Sequence, residues 1–74
     1  MPIDKQKLLS DMNRKLTDRL SYFKEKEQQI ELFMKEGRIT SQDYKQGRMD
    51  LKHFQEDIEK LKKEIEVLNA DISL

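Results

Sequence analysis

The sequence has no cysteine and no tryptophan, one proline, two glycines and no excess of either charge. Each absence closes a route. Without cysteine there are no disulfides and no thiolate metal sites, the usual staples of a small domain. A chain of 74 residues buries only a modest share of its surface. Stability must then come from regular helix packing, from self-association, or from both. The balance of 15 basic against 15 acidic residues provides no overall field to steer the chain onto nucleic acid or an anionic membrane. No apolar run approaches the roughly 18 residues of a membrane span. The segment Met1-Pro2-Ile3-Asp4-Lys5 lacks the apolar centre of a signal peptide. The expectation is a soluble, cytoplasmic protein without membrane contact.

What is present is charge, 41% of the chain, interleaved with apolar residues at regular intervals. Disordered chains lack such spacing, and the scarcity of glycine and proline fits an all-helical protein. The middle of the chain carries the sharpest local signals. Gly37 follows Lys35-Glu36 and suits the left-handed residue that ends a helix. Thr40 then opens Thr40-Ser41-Gln42-Asp43, a hydroxyl N-cap with an acid three residues on, close to a capping box. Ile39 and Tyr44 flank it at the positions of a hydrophobic staple. Asp4 can cap the first helix in the same way, with Ile3 and Leu8 as a second staple. The sequence predicts helix one over about 5–36, a turn over 37–40 and helix two over about 41–72.

Helix two repeats every seven residues. Tyr44, Leu51, Ile58, Ile65 and Ile72 occupy heptad position a, and Phe54, Leu61 and Leu68 occupy d, with Gly47 the one break at d. Such a run is a coiled-coil pattern. In helix one Leu9, Leu16, Phe23 and Ile30 recur at a, with Met12 and Phe33 at d. Arg19 and Lys26 hold the other d positions, while Leu20 and Met34 lie one residue further on. The stripe of helix one is therefore expected to drift and widen, as in a helix with more than one neighbour. Folding at Gly37–Thr40 sets Ile30 beside Gly47, Phe23 beside Phe54, Leu16 beside Leu61 and Leu9 beside Leu68. It also brings the basic first residues, including Lys5, to the acidic end with Glu64, Glu66 and Asp71.

The fold expected is all-α: an antiparallel, coiled-coil-like two-helix hairpin. An isolated hairpin has one apolar side per helix to bury, so dimerisation through the widened face of helix one into a four-helix bundle is expected as well. The g positions of helix two, Asp50, Asp57, Glu64 and Asp71, are all acidic. They disfavour antiparallel pairing of two copies of that helix.

Chemistry has few places to reside. The single histidine, His53, sits at position c beside Asp50, Glu56 and Asp57, where a solvated face is the expected role rather than metal binding. No serine has a histidine partner, no glycine-rich phosphate loop exists, and a hairpin offers no deep cleft to shift carboxylate pKa values. No enzyme activity, cofactor or metal is expected. Arg14, Lys15 and Arg19, with Lys5 and Lys7, form a modest basic cluster, but Asp4, Asp11 and Asp18 interrupt it. Nucleic-acid binding is not the favoured reading.

The segment from Phe33 through Gly37-Arg38-Ile39-Thr40 to Asp43-Tyr44, with Arg48 and Leu51 beyond, resembles the short C-terminal domain family, SHOCT. The resemblance spans about residues 30–51. It implies a small interaction or oligomerisation module of the kind appended to other domains. This chain departs from that pattern in its longer helices and its lack of another domain, which leaves the partner unspecified. The expected function is protein binding, as an adaptor or inhibitor of a larger machine of the sort phages also encode. Tyr22, as an aromatic anchor, with Leu32, Met34, Met49 and Val67 form the candidate docking surface. The alternatives are a scaffold subunit whose task is assembly and a nucleic-acid accessory protein using the basic end of helix one.

Overall fold

The computed structural model describes residues 4–73. It contains two helices, α1 (Lys5–Lys35) and α2 (Ser41–Ser73), packed against each other as a hairpin of 54 × 20 × 15 Å. Asp4 caps α1 from an extended backbone, its carboxylate accepting from the Lys7 N–H at 3.1 Å. Ile3, the expected staple partner of Leu8, lies outside the described residues.

The turn is built from two motifs in series. Gly37 adopts φ 69°, a left-handed conformation that costs a glycine little. Its N–H donates to the Met34 carbonyl at 3.1 Å, and the Arg38 N–H donates to Phe33 at 2.8 Å. This pair of bonds is the Schellman motif, which satisfies carbonyls that the helix end leaves open. Thr40 then starts α2: its hydroxyl accepts from the Asp43 N–H at 3.1 Å, and its carbonyl accepts from Tyr44 N–H at 3.0 Å. Ile39 and Tyr44 are both half-buried. α1 ends at Lys35 with Glu36 as its cap, and α2 runs through Ser73. Each differs by one residue from the sequence expectation, as fraying ends commonly do.

The core lies along the seam and is carried by α2. Leu51, Ile58 and Leu61 are buried, Ile58 most completely at 2% exposure. Phe54, Ile65 and Leu68 are half-buried. Among the described residues α1 contributes none that is fully buried; Leu9, Leu16, Phe23 and Ile30 are half-buried. Two of the anticipated layers are visible in direct geometry. Phe23 and Phe54 stack with ring centroids 6.4 Å apart and planes 7° off parallel. A methyl group added at Gly47 would overlap Ile30 Cδ1 and lie 3.4 Å from Cγ1, so the missing side chain is the space Ile30 occupies. At the open end Lys5 bonds Asp71.

The drift expected of helix one takes a different form. Its half-buried row keeps to a and d through Met12, Leu16, Arg19 and Phe23, then steps one residue to Glu27. Leu20 and Met34 stay exposed. Arginine can lay its aliphatic stem over a seam while its head remains in water, which lets Arg19 hold a d position. Glu27 is held at the seam by Arg48, 3.3 Å away.

Candidate interaction surface

In an antiparallel helix pair the two e rows share one edge and the two g rows share the other. The edges of this hairpin are built differently. On the e edge Arg48 reaches across to Glu27 at 3.3 Å and Glu31 at 3.5 Å. The Tyr44 hydroxyl donates to Glu31 at 2.6 Å. That hydrogen bond, then burial and the charge of Glu31, raises the Tyr44 pKa above its ordinary 10.0. The neighbouring b and e rows offer Lys24, Lys45, Lys52 and Lys62 against Glu59 and Glu66, so this edge is latched and close to neutral.

The g edge is open. A groove of about 420 Å³ runs beside the turn, floored by Ile30, Phe33, Gly47, Leu51 and Phe54 and walled by Tyr22 and Ile39, with Asp43 and Asp50 at its rim. Gly47 lets Ile30 seat closely against α2 in this floor. Tyr22 leans on Phe54 with centroids 5.3 Å apart and planes at 59°, and Lys26 sits 5.4 Å above the Tyr22 ring. A second groove of about 310 Å³ continues past Phe54 between Arg19, Asp57, Leu61 and Glu64. A third of about 520 Å³ takes over at Glu64 and runs between Leu8, Met12, Val67 and Leu68 to Asp71. Shared Phe54 and Glu64 make the three one continuous trough along the hairpin.

Acid lines the α2 bank of that trough at seven-residue intervals. α2 supplies Asp43, Asp50, Asp57, Glu64 and Asp71 from its g row; Asp4, Asp11, Asp18 and Glu25 follow the c row of α1. These nine are the larger part of the 15 acidic residues in the chain. The basic residues on the same side are Lys15, Lys60 and Lys63, with Lys5, Arg19 and Lys26 reaching over from d positions. The trough itself is lined by five acids, all on α2, and by four bases, Arg19, Lys26, Lys60 and Lys63.

The five residues expected to form a docking surface are all exposed, but they do not make one patch. Tyr22 and Val67 line the trough, at its turn end and open end respectively. Leu32 is 52% exposed and follows the acidic c row of α1. Met34, at e, belongs to the latched edge, and Met49, at f, to the outer face of α2. Leu8 and Leu20 are further exposed leucines, one on each edge. Sequence reasoning did not assemble Phe33, Ile39 and Gly47 into a groove floor. Their common side depends on where the turn returns the chain, although the unbroken acidic g row was a readable sign. Arg48 as a cross-helix anchor was also missed; its e position facing Glu27 was the available signal.

His53 is largely exposed, with Nδ1 3.8 Å from Glu56 Oε2. Among the described residues no cluster of three or more metal-binding side chains occurs, and no helix is long and apolar enough to cross a membrane. No family model, no curated protein and no solved structure matches the chain.

Proposed function

We propose that this hairpin is a protein–protein interaction module of the cytoplasm, an adaptor or inhibitor that engages a larger protein through its open edge. The observation that carries the reading is the trough beside Tyr22, Phe54 and Val67, apolar at its turn end and its open end. A groove between two packed helices is a recurring seat for a partner segment. An aromatic residue at its wall is the kind of side chain that dominates binding energy. The SHOCT-like turn is in keeping with an interaction module. A photo-crosslinking residue in place of Tyr22 should capture a partner that the same residue in place of Lys52, on the latched side, does not. Equal capture at both positions, or at neither, would end the reading.

Assembly is a second reading, favoured by a specific observation: α1 contributes no fully buried residue. Its exposed Leu20 and Met34 lie on the latched side, away from the trough. Two hairpins joined there would complete a four-helix bundle and leave both open edges free for partners. Light scattering after gel filtration tests this directly. A dimer that Leu20→Lys dissociates supports it, and a strict monomer with full helicity removes it. A scaffold role alone, without another partner, would show as self-capture only. Nucleic-acid binding through the basic start of α1 is the least supported use, because acids alternate with those bases.

A further inference from the structure

Beyond the protein-binding reading, we infer that in the free protein the trough is covered by a second copy of this chain, laid face to face with both turns at the same end. A larger partner then engages the edge by displacing that copy. The charges of the trough are divided by helix. Its acids, among them Asp50, Asp57 and Glu64, all stand on α2, and the cations that α1 contributes to the lining are Arg19 and Lys26. Among the described residues these five form no ion pair within the hairpin, whereas Arg48, Glu27 and Glu31 of the latched edge do. Lys26 and Asp50 line the first groove, and Arg19 and Asp57 the second. Each cation therefore stands near the height of an acid across the trough.

That division makes the face complementary to itself in one orientation. A two-fold axis along the hairpin keeps every height and exchanges the banks. α1 of each copy then lies over α2 of the other, antiparallel as within the hairpin, with Lys26 over Asp50 and Arg19 over Asp57 in both halves of the interface. The outer margins match with the signs reversed. The Phe23–Phe54 layer sets Asp18 level with Lys60 and Asp11 within a turn of Lys63, and the two-fold brings these rows together. At the open end Leu8 and Met12 of one copy meet Val67 and Leu68 of the other. The alternative two-fold, across the hairpin, sets α2 on α2 and α1 on α1. Acid row then opposes acid row, and Arg19 and Lys26 oppose their own kind, a costly juxtaposition. The hairpin is 54 Å long and 20 Å wide, a face on the scale of the roughly 800 Å² that each side of a stable interface buries. α1, with no fully buried residue in one hairpin, gains a second α2 to pack on.

The test uses the full chain. Light scattering after gel filtration should show a dimer that Leu20→Lys, on the latched side, leaves intact. Arg19→Glu with Lys26→Glu sets acid against acid, and Asp50→Lys with Asp57→Lys sets base against base. Each doublet should weaken dimerisation at least about tenfold, since the two-fold repeats every change, while circular dichroism stays helical. An equimolar mixture of the two doublets should recover a heterodimer. If a doublet unfolds the hairpin, Arg19→Gln with Lys26→Gln takes its place, with an expected loss of roughly three- to fivefold. Below the assembling concentration the same charges act within one hairpin only. The chain has no cysteine, so Lys35→Cys places a single spin label beside the turn of each copy. The two labels should be separated on the scale of the 20 Å width of the hairpin rather than its 54 Å length. A strict monomer at every concentration would overturn the inference and leave capture of a larger protein at Tyr22 standing. A dimer indifferent to the charge changes, or one that Leu20→Lys dissociates, would overturn it by moving the interface to another face. Doublets that stay apart on mixing, or labels a hairpin length apart, would overturn the shared-end arrangement. Failed capture of a larger protein at Tyr22, with the dimer and its charge dependence intact, would remove the protein-binding reading alone.

Discussion

The two edges of the hairpin flank one seam, yet they have opposite character. The edge of Arg48, Glu27, Glu31 and Tyr44 is closed by cross-helix contacts between long polar side chains. The edge of Tyr22, Phe54, Asp50 and Asp57 leaves its apolar floor uncovered, with a row of acids along α2 and with Arg19, Lys26 and Lys60 beside them. Closing an edge with exposed ion pairs adds little stability, a few tenths of a kcal/mol to about 1 kcal/mol each. A row of acids adds none and is mildly self-repelling. The chain thus holds together through the seam and devotes neither edge to stability. What separates the edges is which contacts are satisfied internally and which are left for something else.

The largest effect should come from breaking the seam that both edges depend on. Leu61 is 6% exposed, and Leu61→Asp would place a carboxylate there at a cost of several kcal/mol. A hairpin with a core this small should lose cooperative melting and most of its helicity. Unchanged circular dichroism and melting temperature would mean that the seam is misplaced. The next effect concerns the floor of the open edge. Alanine at position 47 gains about 1 kcal/mol of helix propensity over glycine, but its methyl meets Ile30 Cδ1. Ile30→Val removes that atom. Gly47→Ala should therefore stabilise the Ile30→Val protein by close to the full gain and the parent by clearly less. Equal gains in a denaturant double-mutant cycle would show that Gly47 is not the relief point for Ile30.

The seam could be read from the sequence because heptad spacing survives without knowledge of the partner. Leu51, Ile58 and Leu61 are buried where the period puts them, and Gly37 takes the positive φ that its place after a helix implies. Capping and spacing are local or periodic properties, so a linear chain displays them. The edges are not local. Whether Tyr22 stands beside Leu32 or beside Phe54 depends on the rotation of one helix about another, and that rotation is set by packing at the seam. Met34 and Met49, exposed and apolar like Tyr22, point to other faces for that reason. The step in α1 from d to e at Glu27 was hidden for a further reason. It depends on a charge partner, Arg48, that lies 21 residues away, and periodicity carries no information about such pairs.

A smaller effect compares the edges directly. Arg48→Ala removes two cross-helix ion pairs whose side chains are roughly half exposed. It should cost about 0.5–1 kcal/mol at low salt, with the difference shrinking as salt screens the pairs. Asp57→Asn removes one charge from a like-charged row and should leave stability unchanged or raise it by a few tenths of a kcal/mol. Chemical denaturation at two salt concentrations measures both. Equal losses would erase the distinction between a latched edge and an open one.

The smallest effect is spectroscopic and belongs to the latched edge alone. The Tyr44 hydroxyl donates to Glu31, and ionising the phenol would replace that hydrogen bond with two facing anions, so its pKa is raised above 10.0. In the window between 10.0 and the raised value the folded chain holds a proton that the unfolded chain has released. The contribution is therefore fully present below pH 10 and is lost as pH rises through the folded value. In a Tyr22→Phe background Tyr44 is the only tyrosine, so phenolate absorbance follows it without overlap. Its midpoint should lie above 10, and Glu31→Gln should bring it down, because the amide oxygen still accepts the hydrogen bond but carries no charge. If the midpoint is unmoved by Glu31→Gln, the hydroxyl does not face that carboxylate, and the latch consists of Arg48 alone.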